Sequence, residues 1–282
     1  MQRLPQGGKC LRLKEINAVL RFTKGCEQLS SGDRTMNAVI DEIFQSGVVT
    51  DSAGNEHVLH SNVDRREGEF LLKLIESDAT IDKTLEIGCA YGLSSLYICS
   101  ALFQRNSPQH TIIDPFQHTD FDGIGIANLQ RAGFNFFELI EVPSEFALPQ
   151  LVHDRANTFD LVFIDGWHTF DHTLLDLFYA NRLVKVGGYI VVDDCHMASV
   201  SKAVSYFSNY PAYQVKCQSQ PTATINGRLK QLIQTLIPPA IAGFVIPQTF
   251  YDRYYVRTLF SSMVALQKVA EDDRNWNWFH PF

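Results

Sequence analysis

Thr84-Leu-Glu-Ile-Gly-Cys-Ala-Tyr-Gly92 is the stretch on which the reading of this 282-residue chain turns. Its first five residues read as a short buried strand, and Ser94–Leu102 beyond it carries a helical pattern. Two glycines four apart lie between them. Gly88 lets the chain turn sharply off the strand, and Gly92 lets backbone come close to a ligand. Ser94 or Ser95 is placed to cap the helix, whose amino end favours an anionic group.

Downstream the alternation continues. Thr111–Asp114, Phe137–Val142, Phe159–Asp165 and Gly188–Asp193 read as strands. Gly123–Ala132, Glu145–Val152 and Thr173–Leu183 read as helices. Short apolar strands separated by helices indicate βαβ units and a parallel sheet covered on both faces. Val200–Asn209 adds a helix, Tyr213–Cys217 a sixth strand and Ser261–Gln267 a seventh. The fold class is therefore α/β: a Rossmann-like, mostly parallel seven-stranded sheet with helices on both faces, its last strand antiparallel.

Upstream, residues 1–65 are polar and mixed, with a helix over Asp33–Gln45 and a turn at Asp51-Ser-Ala-Gly-Asn55. They are expected to form an N-terminal helical cover. The main domain would then run over 66–282, starting with a helix at Arg66–Ser77 and interrupted by an insertion at about 219–260. Within the insertion, Phe250, Tyr251, Tyr254, Tyr255 and Phe260 cluster around Arg253 and Arg257. Leu232–Val245 is apolar, but it is short for a membrane span and is broken by Pro238-Pro239.

Hydrophobic residues make up 45% and charged residues 20% of the chain, as in ordinary globular proteins. The formal charge of -7, with no basic run, argues against a nucleic-acid surface. The six cysteines are scattered without a Cys-x-x-Cys pair, so buried free thiols are expected at Cys89, Cys99 and Cys195. Met1–Cys10 lacks the apolar stretch of a secretory leader, and a cytoplasmic location is the expectation. No transmembrane segment is expected, and a homo-oligomer is left open.

In open parallel sheets, ligands bind outside the carboxyl ends of the strands. Gly88, Asp114, Asp165 and Asp193 all end predicted strands at that edge, which points to one crevice. Asp114, about twenty residues beyond the loop, is placed to accept both hydrogen bonds of a ribose diol. A dinucleotide fingerprint wants Gly-x-Gly-x-x-Gly, whereas here Ala90 and Leu93 fill the second and third glycine positions. Glu86 behind the loop suits a cationic aminoacyl group better than a pyrophosphate.

On these residues the chain resembles class I S-adenosylmethionine-dependent methyltransferases. Their acidic-x-Gly-x-x-x-Gly motif matches Glu86, Gly88 and Gly92. The resemblance runs from about Arg66 to Met197 and takes in the last strand. It includes Ile-Asp114-Pro-Phe-Gln, Phe-Asp-Leu-Val-Phe-Ile-Asp165-Gly-Trp-His and Val-Gly-Gly-Tyr-Ile-Val-Val-Asp193-Asp. Within that group the chain is similar to small-molecule O-methyltransferases of the catechol and sugar type. The resemblance implies S-adenosylmethionine as cofactor, ribose recognition by Asp114, adenine packing near Pro115 and Phe116, and an adenine-edge contact at Ser144. Loop residues Ala90, Tyr91 and Ser94, with Asp165, complete the expected cofactor contacts.

Asp165, Asp193 and Asp194 bring three carboxylates to two neighbouring strand ends. Their repulsion would be relieved by a hard divalent cation, Mg2+ or similar. The plainer alternative is that Asp165 touches the cofactor, Asp193 caps a helix and Asp194 is solvated. Catechol-type enzymes ligate magnesium at corresponding positions, with Asp-Asn where this chain has Asp-Asp. They carry a lysine base where this chain has His168. The resemblance thus makes His168 the catalytic base beside Asp165, with His172 and His196 in reserve. The expected acceptor is a small hydroxyl compound, whether sugar, phenol or other. Rival readings are metal-free N- or C-methylation, a nicotinamide-dependent oxidoreductase, and an inactive cofactor-binding scaffold.

Overall fold

A computed structural model describes residues 37–219 and 262–280. The chain divides into two units, Met1–Arg34 and Thr35–Phe282. The break expected at 65/66 falls inside the second unit. The first unit, the insertion from residue 220 onward with its aromatic cluster, and Leu232–Val245 lie outside the described residues. Among the described residues, no helix is long and apolar enough to cross a membrane.

The first described element is helix α1 (Ala38–Ser46), capped by the Asn37 side chain and ended by Gly47 in the left-handed region. A hairpin of β1 (Val48–Thr50) and β2 (Glu56–Val58) follows, folded about the Asp51–Asn55 turn. The turn was legible in the sequence. Its three-residue strands were not, because they are too short to show a period. Helix α2 (Arg65–Ser77) opens with a reciprocal capping box between Asp64 and Glu67.

The sheet then builds as β3 (Lys83–Ile87), α3 (Leu93–Leu102), β4 (Gln109–Ile113), α4 (Ile124–Arg131), β5 (Phe137–Ile140), α5 (Ser144–Arg155), β6 (Phe159–Ile164), α6 (Phe170–Leu183) and β7 (Val184–Val192). Helix α7 (Ala198–Phe207) leads to β8 (Tyr213–Gln218), and β9 (Val264–Lys268) closes the described fold. The strand order is β5-β4-β3-β6-β7-β9-β8. The pairs from β5 through β7 are parallel, and β9 is antiparallel to both β7 and β8. The sheet is therefore of the class expected, antiparallel last strand included.

Two apolar layers cover the sheet. One is built on α1, α2, α3 and α4, with Ile40, Leu71, Leu96 and Tyr97 fully buried. The other lies under α5, α6 and α7, around Leu148, Leu177 and Phe207. After β3 the chain moves to β4 on one side and later returns to β6 on the other. The carboxyl end of β3 is thus the switch point at which such sheets open a crevice.

Candidate active site

At that switch point the hydrogen-bond ladder runs one residue past each strand. The Gly88 N–H donates to the Ile113 carbonyl at 2.9 Å, Asp114 to Ile140 at 3.2 Å, Asp165 to Ile87 at 2.8 Å and Asp193 to Ile164 at 3.0 Å. The four residues singled out at strand ends are therefore pinned along one edge. A cavity of about 800 Å³ opens above them. Of the expected site residues, Gly88, Ala90, Tyr91, Ser94, Asp114, Pro115, Phe116, Ser144, Asp165, His168, Asp193 and Asp194 line it.

Glu86 and Gly92 do not line it, for physical reasons. Glu86 is fully buried behind the loop, on the α3 side of β3, where it accepts from Ser95 and pairs with His110 Nε2 at 2.9 Å. It anchors α3 and has no path to a ligand. Gly92 adopts φ +83°, and a Cβ there would lie 2.7 Å from the Gly125 carbonyl oxygen. Its close approach is to the start of α4 rather than to a ligand. Gly92 itself is the N-cap of α3, without a side-chain cap. The capping expected of Ser94 or Ser95 does not occur: Ser95 is spent on Glu86, and Ser94 faces the cavity.

Gly88 is required on two counts. Its φ is +90°, and a Cβ would meet the Asp165 carbonyl oxygen at 2.1 Å. Asp114 is engaged more heavily than a free diol acceptor would be. Its Oδ2 accepts from the N–H groups of Cys89 and Ala90 (2.9 and 2.8 Å) and from Gln117 Nε2 (3.0 Å). Its Oδ1 accepts from Phe116 N–H at 2.8 Å, which leaves acceptor capacity on that oxygen. Gln117, fully buried, also donates to the Ala90 carbonyl at 2.7 Å and locks the loop.

The acidic corner differs in composition from the expected triad. Asp193 is turned inward, 5% exposed, with its Oδ1 accepting the Asp194 N–H at 2.7 Å. Asp194 takes a left-handed backbone, φ +52°, which swings its carboxylate toward His168. His168 Nε2 lies 3.2 Å from Asp165 Oδ1 and 3.0 Å from Asp194 Oδ2. Asp165, His168 and Asp194 offer ligand atoms all within 4.8 Å of one another. In this geometry His168 replaces Asp193 as the third corner. His168 also points its Nε2 at two carboxylates rather than into open cavity. The hydrogen bond that its Nε2–H donates to the Asp165 carboxylate raises its pKa.

Burial pushes the Asp165 carboxyl up to about 6, against the opposing pull of His168. Burial, with Asp165 and Glu67 nearby, carries Asp193 well above the usual carboxylate range. Glu67 is a further cavity-lining carboxyl, raised mainly by burial. Sequence reading passed over it: Asp64-x-x-Glu67 marks a helix start but says nothing of what that start faces. Trp167 stands at the cavity wall, 59% exposed, and His172 lines the cavity beside it. His196 lies 3.5 Å from Asp194 Oδ1, outside the lining residues. Cys89, Cys99 and Cys195 are buried free thiols, as expected.

Residues 85–195, which contain every strand end just described, match a family described as a methyltransferase domain. Over those residues the chain is similar to methyltransferase domains. Solved structures share this fold at low identity. An O-methyltransferase from Bacillus cereus, solved with SAH, has a TM-score of 0.53 at 18% identity over 71% of this chain and 91% of its own. TomG from Streptomyces achromogenes, an O-methyltransferase of tomaymycin synthesis solved with SAM, has 0.50 at 20% identity over 75% and 93%. An SAH-bound methyltransferase from Podospora anserina has 0.53 at 15% identity over 93% and 99%. No curated protein matches the chain significantly by sequence.

Proposed function

We propose that the chain transfers the methyl group of S-adenosylmethionine to a hydroxyl of a small molecule, with a divalent cation at the acidic corner. The observation that carries this reading is the opening of two features onto one cavity: the Gly88–Gly92 turn and the Asp165–His168–Asp194 cluster. The pocket's mixture of apolar walls and a few convergent polar groups suits a bound small molecule. Displacement at the sulfonium carbon needs acceptor oxygen, methyl and sulfur held in line, which a walled cleft favours.

The donor set fits a cation. Two carboxylates and an imidazole, with ligand atoms all within 4.8 Å of one another, suit Mg2+ or Mn2+. Asp165 and Asp194 would hold the cation, with His168 as third ligand or as proton acceptor. When bound, it would polarise the acceptor oxygen and lower that hydroxyl's pKa. Asp193 would brace Asp194 through its backbone N–H, and Glu67 would face the acceptor side. The Gly88–Ser94 turn would hold the aminoacyl end, and Asp114 Oδ1 one ribose hydroxyl.

The test is transfer from methyl-labelled S-adenosylmethionine to a panel of phenols and sugars, in Mg2+ or Mn2+ and in excess EDTA. Transfer to oxygen is expected, lost in EDTA, and reduced by roughly a hundredfold or more in His168→Ala. Undiminished transfer in chelator would remove the cation from the mechanism. Label recovered on nitrogen or carbon would reassign the acceptor.

A further inference from the structure

Two buried acids near the cavity have no part in the chemistry above. Each has an oxygen without a hydrogen-bond partner among the described residues: Asp176 Oδ1 on α6 and Glu86 Oε1 on β3. Asp176 stands behind the cavity wall, where a Cβ on the lining residue Gly166 would sit 3.7 Å from its Oδ2. Glu86 is the one tied to the glycine turn.

The contacts of Glu86 fall on its other oxygen. Ser95, in the first turn of α3, donates its hydroxyl to Oε2, and His110 Nε2 lies 2.9 Å from the same atom. Thr84 Oγ1, 2.9 Å from His110 Nδ1, holds the imidazole from its far side. Glu86, Ser95 and His110 are all fully or almost fully buried, so the carboxylate is out of reach of bulk water. His110 is the basic group that the fold sets against it. Ser95 carries the connection onward: its Oγ lies 3.4 Å from Cys89 Sγ, and the Cys89 N–H donates to Asp114 Oδ2 at 2.9 Å. Cys89, Ser94 and Asp114 line the cavity, whereas His110, the second residue of β4, does not.

One run of hydrogen bonds thus passes from His110 through Glu86 and Ser95 to the turn. Removing one partner of a buried charged group leaves the other uncompensated, and the surroundings shift to relieve it. Strand β3 is fixed by its ladders to β4 and β6, so the shift falls on the start of α3 and on the turn.

We infer that His110 is a positioning residue for the cofactor: it fixes Glu86 and, through Ser95 and Cys89, sets the turn in the geometry that binds S-adenosylmethionine. The inference rests on the reading of the cavity as an S-adenosyl site and adds to it a residue from outside the cavity.

The experiment is calorimetric titration of S-adenosylhomocysteine into the full chain, well below the melting temperature of every variant, with thermal melts alongside. His110→Leu is expected to weaken binding by on the order of tenfold or more, since it strands the Glu86 carboxylate. His110→Gln, whose amide N–H can still donate to Glu86, should stay within about threefold of wild type. Adding Glu86→Gln to the His110→Leu chain removes the stranded charge and should recover most of the lost affinity. A core damaged only in its packing would not be repaired by a second buried change. Ser95→Ala cuts the run at its other end and should weaken binding by roughly threefold or more, which keeps the test decisive if His110→Leu does not fold. Undiminished binding in a folded His110→Leu chain, or in Ser95→Ala, would overturn the inference. So would a loss in His110→Leu that neither His110→Gln nor the added Glu86→Gln repairs. Failure of wild type to bind would instead refute the S-adenosyl reading, and this inference would fall with it.

Discussion

Asp194 and Ala90 share a feature that few non-glycine residues tolerate, a left-handed backbone at φ +52° and +48°. Such a conformation costs an L-residue on the order of 1 kcal/mol, and it persists here where the chain must turn off a strand end into the cavity. For Asp194 the turn carries the carboxylate to His168. Asp194→Gly should therefore raise unfolding free energy by about 1 kcal/mol while abolishing methyl transfer; urea melts and label transfer read the two effects separately. Asp176 gives a second test. Burial lifts its carboxyl to about 6, above the 3.8 of a free aspartate, so the native state binds this proton more tightly than the unfolded chain. Stability from this group is then present in acid and lost as pH rises from about 4 through about 6. Asp176→Asn should match wild type near pH 4 and exceed it by about 3 kcal/mol at pH 8 in urea denaturation.

Among the elements, α2 and α3 are held together by an absence. A Cβ on Gly68 would lie 2.0 Å from the Tyr97 ring, which is itself fully buried. Helix propensity alone favours Gly68→Ala by roughly 1 kcal/mol. The clash should win, costing about 1–3 kcal/mol net, and Tyr97→Leu in the same chain should recover most of it. The elements themselves were largely legible. The strand endings Gly88, Asp114, Asp165 and Asp193 stand where the alternating pattern puts them, because strands buried on both faces leave an unbroken apolar signature. The site was legible as a neighbourhood and less so as contacts. Period and spacing place Glu86 next to the loop, but only the facing of β3 shows it buried against His110. They place Asp193 and Asp194 side by side, but only the turn at Asp194 decides which of them meets His168. Glu67 and Asp176 lie on helices remote in sequence from the loop, and no local pattern announces that tertiary packing brings them to the cavity wall.

For the molecule as a whole, one crevice is formed where the sheet's winding reverses, and the glycine turn and the acidic corner share it. The turn is locked from below by Asp114 and Gln117 and from the side by the Asp165 carbonyl oxygen. Cofactor binding should accordingly depend on the turn and be separable from the acidic corner, which serves the acceptor. The most direct measurement is titration calorimetry of S-adenosylhomocysteine into wild type, Asp194→Ala and Gly88→Ala chains. Binding at one site per chain is predicted for wild type and for Asp194→Ala, with none for Gly88→Ala. Absence of binding to wild type, or undiminished binding to Gly88→Ala, would contradict the account.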